Sequence, residues 1–177
     1  MNPCAEILRA AAFAAEKHSK QRRKDPDCSP YINHPIALAN VLANEGHVHD
    51  NAVLCAALLH DTVEDTETSE DELREIFGEK IARIVMEVTD DKHLPKQERK
   101  RLQIEHAVFA SLEAKLVKLA DKICNLRDLL NSSPAHWERS RKQEYFDWSA
   151  QVIAGVRGTH AGLEAIFDGL YAQREML

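Results

Sequence analysis

The chain has 177 residues, 44% of them hydrophobic, enough for one ordinary domain around its own core. Lys and Arg total 23 against 29 Asp and Glu, and this formal charge of −6 argues against nonspecific nucleic-acid binding and confines phosphate recognition to a local basic patch. With no basic leader ahead of an apolar core and no run of about 18 apolar residues, the expectation is a cytoplasmic protein without a membrane partner.

Apolar residues recur at intervals of three and four nearly throughout, only 6 Gly and 6 Pro interrupt them, and no stretch alternates as a strand does. The reading is therefore all-α. Helices are expected near residues 3–18, 34–45, 50–60, 69–77, 79–90, 95–106, 113–130, 135–156 and 159–173. Ser69, followed by three acids, is a helix N-cap candidate, while Gly78, Gly158 and Ser132-Ser133-Pro134 are expected breaks. No repeat or linker divides the chain, so residues 1–177 are expected to form one domain. Cys4, Cys28, Cys55 and Cys124 lack any CxxC spacing, and two lie in apolar helical stretches, as buried free thiols do; a reducing cytosol suits them.

The apolar run 52–59 closes on His60-Asp61-Thr62-Val63-Glu64-Asp65, an imidazole and three carboxylates at the edge of a core-forming stretch. Buried carboxylates need a pairing charge or a metal, and imidazole is the commonest nitrogen ligand. His34 and Asp121, each beside an apolar helical pattern, complete a candidate set with His60 and Asp61. Two imidazoles and two carboxylates suit Mn²⁺, Fe²⁺, Mg²⁺ or Zn²⁺ with positions open to water, not a closed structural zinc. Neighbours on a continuous helix point about 100° apart, so His60 and Asp61 meet one ion only where the helix ends. Spacing alone leaves the bland reading open, in which they are a helix terminus and a solvated acid.

Glu64 follows His60 by four residues and Asp61 by three, so even one helical turn sets it on the metal face; Asp65 is the second candidate for handling an attacking water. Either acid equally suits a cap or a solvated loop. Arg22, Arg23 and Lys24 are the densest positive charge in the first third of the chain, and Lys96, Lys100 and Arg101 make a second cluster; phosphate clamps and solvated basic turns both fit. Asn125, four after Asp121, shares its helical face, flanked by Lys118 and Lys122. Tyr145 is placed either against a ribose or phosphate or, beside Phe146 and Trp148, in the core. His18, His47, His49, His93, His106, His136 and His160 are read as surface or loop residues without chemistry.

His34, His60-Asp61 and Asp121, in that order, resemble the H…HD…D signature of the HD-domain phosphohydrolases. Within them, Arg22-Arg23-Lys24-Asp25, Pro30-Tyr31-Ile32-Asn33-His34-Pro35, residues 56–66 and Val117-Lys118-Leu119-Ala120-Asp121-Lys122 resemble the hydrolase domain of RelA/SpoT proteins, most nearly its small stand-alone metazoan form. Residues 88–92, 94–96, 99–103 and 143–148 extend the similarity over most of the chain. The resemblance implies a helical HD domain without a synthetase or regulatory domain, and hydrolysis of guanosine 3′,5′-bis(diphosphate) and its pentaphosphate relative with release of the 3′ pyrophosphate. It also implies one Mn²⁺ on His34, His60, Asp61 and Asp121, catalytic Glu64 and Asp65, and substrate contacts from Arg23, Lys24, Lys96, Lys100, Asn125 and Tyr145. The expected partner is a guanine nucleotide alarmone, not DNA or RNA; the oligomeric state is open.

The chain departs from the family pattern in two places. Residues 25–29 lack the glycine expected there, and Cys124 stands where relatives carry an aromatic residue or histidine. Two alternatives stay open: a phosphatase for another nucleotide, such as the 2′-phosphate of NADPH, and a non-enzymatic nucleotide sensor.

Overall fold

The computed structural model describes residues 2–177, and among them there is no strand, only an isolated antiparallel bridge between Arg22 and Pro30. The all-α expectation holds. Among the described residues ten α-helices follow in order: α1 Pro3–Lys17, α2 Asn33–Asn40, α3 Asn51–Leu59, α4 Thr62–Asp65, α5 Glu70–Phe77, α6 Glu79–Val88, α7 Lys96–Ala107, α8 Leu112–Asn131, α9 Arg139–Ala154 and α10 Ala161–Tyr171.

Helix starts follow the caps written into the sequence. Asn2, Asp50, Ser69 and Ser111 each accept a hydrogen bond from a first-turn amide, and Gly78 separates α5 from α6 with φ 84°, a conformation costly for side chains with a Cβ. The expected helix at 34–45 changes pitch: after Asn40 the chain widens into a π-turn, Val41–Glu45, closed by the Gly46 amide on the Val41 carbonyl at 2.8 Å. Arg127 grips Glu45 with two bonds of 2.7 and 2.8 Å, a long-range anchor at the end of that turn. The helix expected from 135 starts only at Arg139, because the chain first makes a separate turn at Pro134, where the Trp137 amide bonds the Pro134 carbonyl at 3.0 Å.

The middle of the bundle is α3, which is apolar all round and buries Val53, Cys55, Ala56, Ala57, Leu58 and Leu59. It packs against α1, α2, α6 and α8, as a helix without a polar face must. The long α8 adds Leu119, Ile123 and Leu126, and α9 and α10 close the other side with Phe146, Ile153, Leu163 and Phe167, all fully buried. Side chains of this size contribute about 1.5–3 kcal/mol each when removed from water. Two elements therefore meet the site from a rigid core: the end of α3 and the middle of α8. No helix among the described residues is long and apolar enough to cross a membrane.

Candidate active site

The α3 helix stops at Leu59. His60 keeps helical angles, Asp61 leaves them (φ −99°, ψ 0°), and Thr62 turns its hydroxyl back onto the Leu59 carbonyl at 2.7 Å. This break lets the adjacent His60 and Asp61 side chains converge, with Nε2 of His60 2.9 Å from Oδ2 of Asp61. His34, in the first turn of α2, reaches Asp121 in the middle of α8, Nε2 to Oδ1 at 3.1 Å. Ligand atoms of His34, His60 and Asp121 all lie within 4.8 Å of one another.

Hydrogen bonding fixes how these groups face. His60 Nδ1 bonds the Ala57 carbonyl at 2.8 Å, so one ring hydrogen belongs there and Nε2 faces the Asp61 and Asp121 carboxylates, where it carries a second proton or, with that proton lost, offers its lone pair to a metal. That Nε2 is buried. Tyr31 donates its hydroxyl hydrogen to Asp61, and Asp121 receives Asn125 Nδ2 at 2.7 Å and Lys122 Nζ at 3.0 Å. Burial opposes ionisation of both carboxyls, but His60 beside Asp61 and Lys122 beside Asp121 overcome it and hold each well below the usual range. Burial likewise opposes a charge on His60, yet Asp61 and Asp121 raise it to about 9. The imidazole and carboxylate donors of this cluster, with ligand atoms of His34, His60 and Asp121 within 4.8 Å of one another, fit a divalent metal.

The cluster forms the floor of a pocket of about 730 Å³. Glu64, from the single-turn helix α4, stands in its wall with Oε2 receiving the Asp90 amide at 3.1 Å and Oε1 3.5 Å from Arg99. Burial raises its carboxyl to about 7, with the Asp90 amide pulling the other way. Asp65 is held at both oxygens, by Gln21 Nε2 at 2.9 Å and by Lys92.

The remaining expected contacts divide. Arg23, Lys24, Asn125 and Tyr145 line the pocket, whereas Lys96 is exposed outside the lining and Lys100 lies behind it, its ammonium 4.8 Å from the Trp148 ring. Arg23 is tethered to Asp128 and sits over the Tyr31 ring at 5.9 Å; Lys24 is exposed at the rim. Asn125 spends its amide on Asp121. Tyr145 sits between Trp137 and Trp148, tilted to the first ring and edge-to-face with the second, its hydroxyl pushed up to about 12 by burial.

Several wall residues escape the sequence reading. Tyr31 and Gln21 each bind a site carboxylate, and Lys118 is buried in the wall. Only position signalled them: Tyr31 precedes His34 by one turn, and Lys118 precedes Asp121 by one. The histidine assignment also needs correction at His18, whereas His160 keeps a loop position. His18 is buried, with Nδ1 2.7 Å from Gln21 Oε1, because Gln21 must be braced to reach Asp65; His160 caps α10 and bonds the Gly46 carbonyl at 2.8 Å.

Residue 28 shows why a glycine was expected there. Cys28 has φ 49°, the left-handed region, while Asp25 bonds both the amide, at 3.0 Å, and the hydroxyl of Ser29. Arg23 and Tyr31 amides bond the Ser29 and Gln21 carbonyls at 2.8 and 3.1 Å, closing this loop beside the pocket.

Comparison with known proteins agrees with this geometry. The HD domain sequence model matches residues 10–154. A Xenopus tropicalis protein named guanosine-3′,5′-bis(diphosphate) 3′-pyrophosphohydrolase MESH1 is 58% identical over 165 residues, 93% of this chain and 92% of that protein. Its Homo sapiens counterpart is 57% identical over 170 residues, 96% of this chain and 95% of that protein. A solved structure described as a metazoan ortholog of SpoT that hydrolyzes ppGpp superposes with a TM-score of 0.94 at 48% identity, covering 98% of this chain and 97% of the other. Sharing that fold nearly end to end and carrying the histidine and aspartate cluster at the broken end of α3, the chain belongs to the HD-domain family, in the branch that contains the MESH1 proteins.

Proposed function

We propose that this protein is a metal-dependent guanosine-3′,5′-bis(diphosphate) 3′-pyrophosphohydrolase of the cytoplasm, acting as a single HD domain and using Mn²⁺. One observation carries the reading: the His34, His60 and Asp121 cluster opens onto a pocket of about 730 Å³ whose rim bears Arg22, Arg23 and Lys24. That volume suits a nucleotide, and those charges suit its phosphates.

His34, His60, Asp61 and Asp121 would hold the ion. A divalent ion supplies Lewis-acid polarisation of a phosphoryl oxygen and makes a nearby water more acidic. Water adds to the phosphorus nearest the ribose, the bond from that phosphorus to the 3′ oxygen breaks, and the 3′ oxygen takes up a proton; the products are GDP, or GTP from the pentaphosphate, and pyrophosphate. Glu64 takes the proton of the attacking water, a role its elevated carboxyl suits near neutral pH. Asp65, braced by Gln21 and Lys92, orients that water. Arg23 and Lys24 hold the phosphates, and Tyr31 keeps Asp61 turned inward.

The test is product analysis with purified protein, guanosine 3′,5′-bis(diphosphate) and each of Mn²⁺, Mg²⁺ and Zn²⁺, with NADPH as competing substrate. GDP and pyrophosphate in equal amounts, fastest with Mn²⁺, are expected. Orthophosphate from NADPH with no alarmone turnover would replace this reading.

A further inference from the structure

Lys118 stands apart in the pocket wall. On α8 it precedes Asp121 by three residues, so positions 118, 121, 122 and 125 form one stripe facing the pocket. Only 8% of Lys118 is exposed, yet among the described residues no carboxylate comes within ion-pair distance and no group hydrogen-bonds its ammonium. Lys122 makes the contrast. It is buried to a similar degree, but it bonds Asp121 at 3.0 Å and lies 4.4 Å from the Trp148 ring.

A mostly buried ammonium without a carboxylate partner is costly for a fold to keep. Burial lowers its pKa, and Asp90, Asp121 and Glu64 act on it only from beyond contact distance. Nor is it sealed in: Lys118 lines the main pocket and also a side cavity of about 200 Å³ that shares Asp90 and Gln103 with it. A mostly buried cation that has no protein partner and opens onto a cleft is complementary to an anion arriving with the ligand.

We infer that Lys118 is a substrate-binding residue, its ammonium contacting a non-bridging oxygen of the 3′ diphosphate on the Glu64 side of the His34, His60 and Asp121 cluster. This rests on the pyrophosphohydrolase reading of the pocket. The ion pair that the fold withholds from Lys118 is completed by substrate.

The experiment is Lys118→Met, which keeps chain length but removes the charge, with Lys118→Gln as a second variant that retains a polar end. Three readouts are compared with the parent: thermal midpoint, its shift on adding inorganic phosphate, and steady-state kinetics on guanosine 3′,5′-bis(diphosphate), all at matched metal content. An unchanged or higher midpoint is expected for Lys118→Met, since an unpaired buried charge gives way to an apolar chain. Phosphate should stabilise the parent and not the variants. For both variants kcat/KM should fall by about ten- to a hundredfold, the loss of one charged hydrogen bond. A lowered midpoint with parental kinetics and a parental phosphate shift would make the lysine structural and overturn the inference. Should the parent fail to hydrolyse the alarmone while phosphate still protects it through Lys118, the anion contact stands and the assigned reaction falls.

Discussion

His60 Nε2 and Asp61 Oδ2 face each other at 2.9 Å while the ring hydrogen is committed to the Ala57 carbonyl, so the pair is complete only with a positive charge between them. In the ion-free protein that charge is a proton, held with a pKa of about 9 against an ordinary 6.5. Metal must displace it. Apparent metal affinity should therefore climb with pH up to about 9 instead of levelling near 6.5. The stability effect has the matching sign: in ion-free protein the His60 contribution is fully present below about 6.5 and is lost as pH rises through about 9. Calorimetric Mn²⁺ titrations and ion-free melts across that range check both; a plateau near 6.5 would show that Asp61 does not hold the proton.

Removing a ligand should be more severe. His60→Ala and Asp121→Ala are each expected to abolish metal retention and turnover together, because neighbours oriented around one ion fail as a unit. Metal analysis of the purified variants reads the first and pyrophosphate release the second. Full activity in either would exclude that residue from the site.

The two acids of α4 should separate chemistry from binding. Glu64→Gln and Asp65→Asn keep shape and lose proton affinity, so kcat should fall by roughly 10²-fold or more with metal content and KM little changed. Loss of metal instead would make them supports of the ligand cluster.

Arg23 offers a test of the rim. Arg23→Ala should raise KM while leaving metal content intact, and added salt should weaken substrate binding in the parent more than in the variant. Asp128→Asn, which releases the tether on Arg23, should raise KM by a smaller factor. Parental KM in both would leave the rim without a role.

Cys28 gives a prediction for stability alone. A non-glycine residue at φ 49° is strained, while glycine costs more unfolded-chain entropy, and the net gain from Cys28→Gly should be about 0.5–1 kcal/mol. Thermal melting reads it; a lowered midpoint would mean the thiol makes a contact that outweighs the strain.

How much of this was legible in sequence depended on distance along the chain. The apolar run 52–59 could only be a buried helix, and the requirement that His60 and Asp61 converge placed its end correctly. The α4 turn was too short to show a period, so Glu64 and Asp65 could be assigned to a face but not to an element. The π-turn after Asn40 is anchored through Glu45 by Arg127, 82 residues away, and Arg23 is positioned by Asp128, 105 residues away. No local pattern encodes either pairing. The sequence places Lys118 one turn before Asp121 beside that residue's helical face; only the packed bundle shows that its surroundings supply no counter-ion.

The bridge between Arg22 and Pro30 ties two parts of the site together. It joins the basic rim and His34 in one short, cross-braced stretch of chain, so a phosphate that steadies the rim also steadies the imidazole at the floor. Ion and nucleotide are then expected to be heterotropic partners, and reciprocity would require that each strengthen the other by the same factor. Titrating Mn²⁺ with and without GDP measures that factor. An enzyme with such coupling responds to scarcity of its metal more steeply than occupancy alone dictates, since fewer sites are loaded and the empty ones also release the nucleotide sooner.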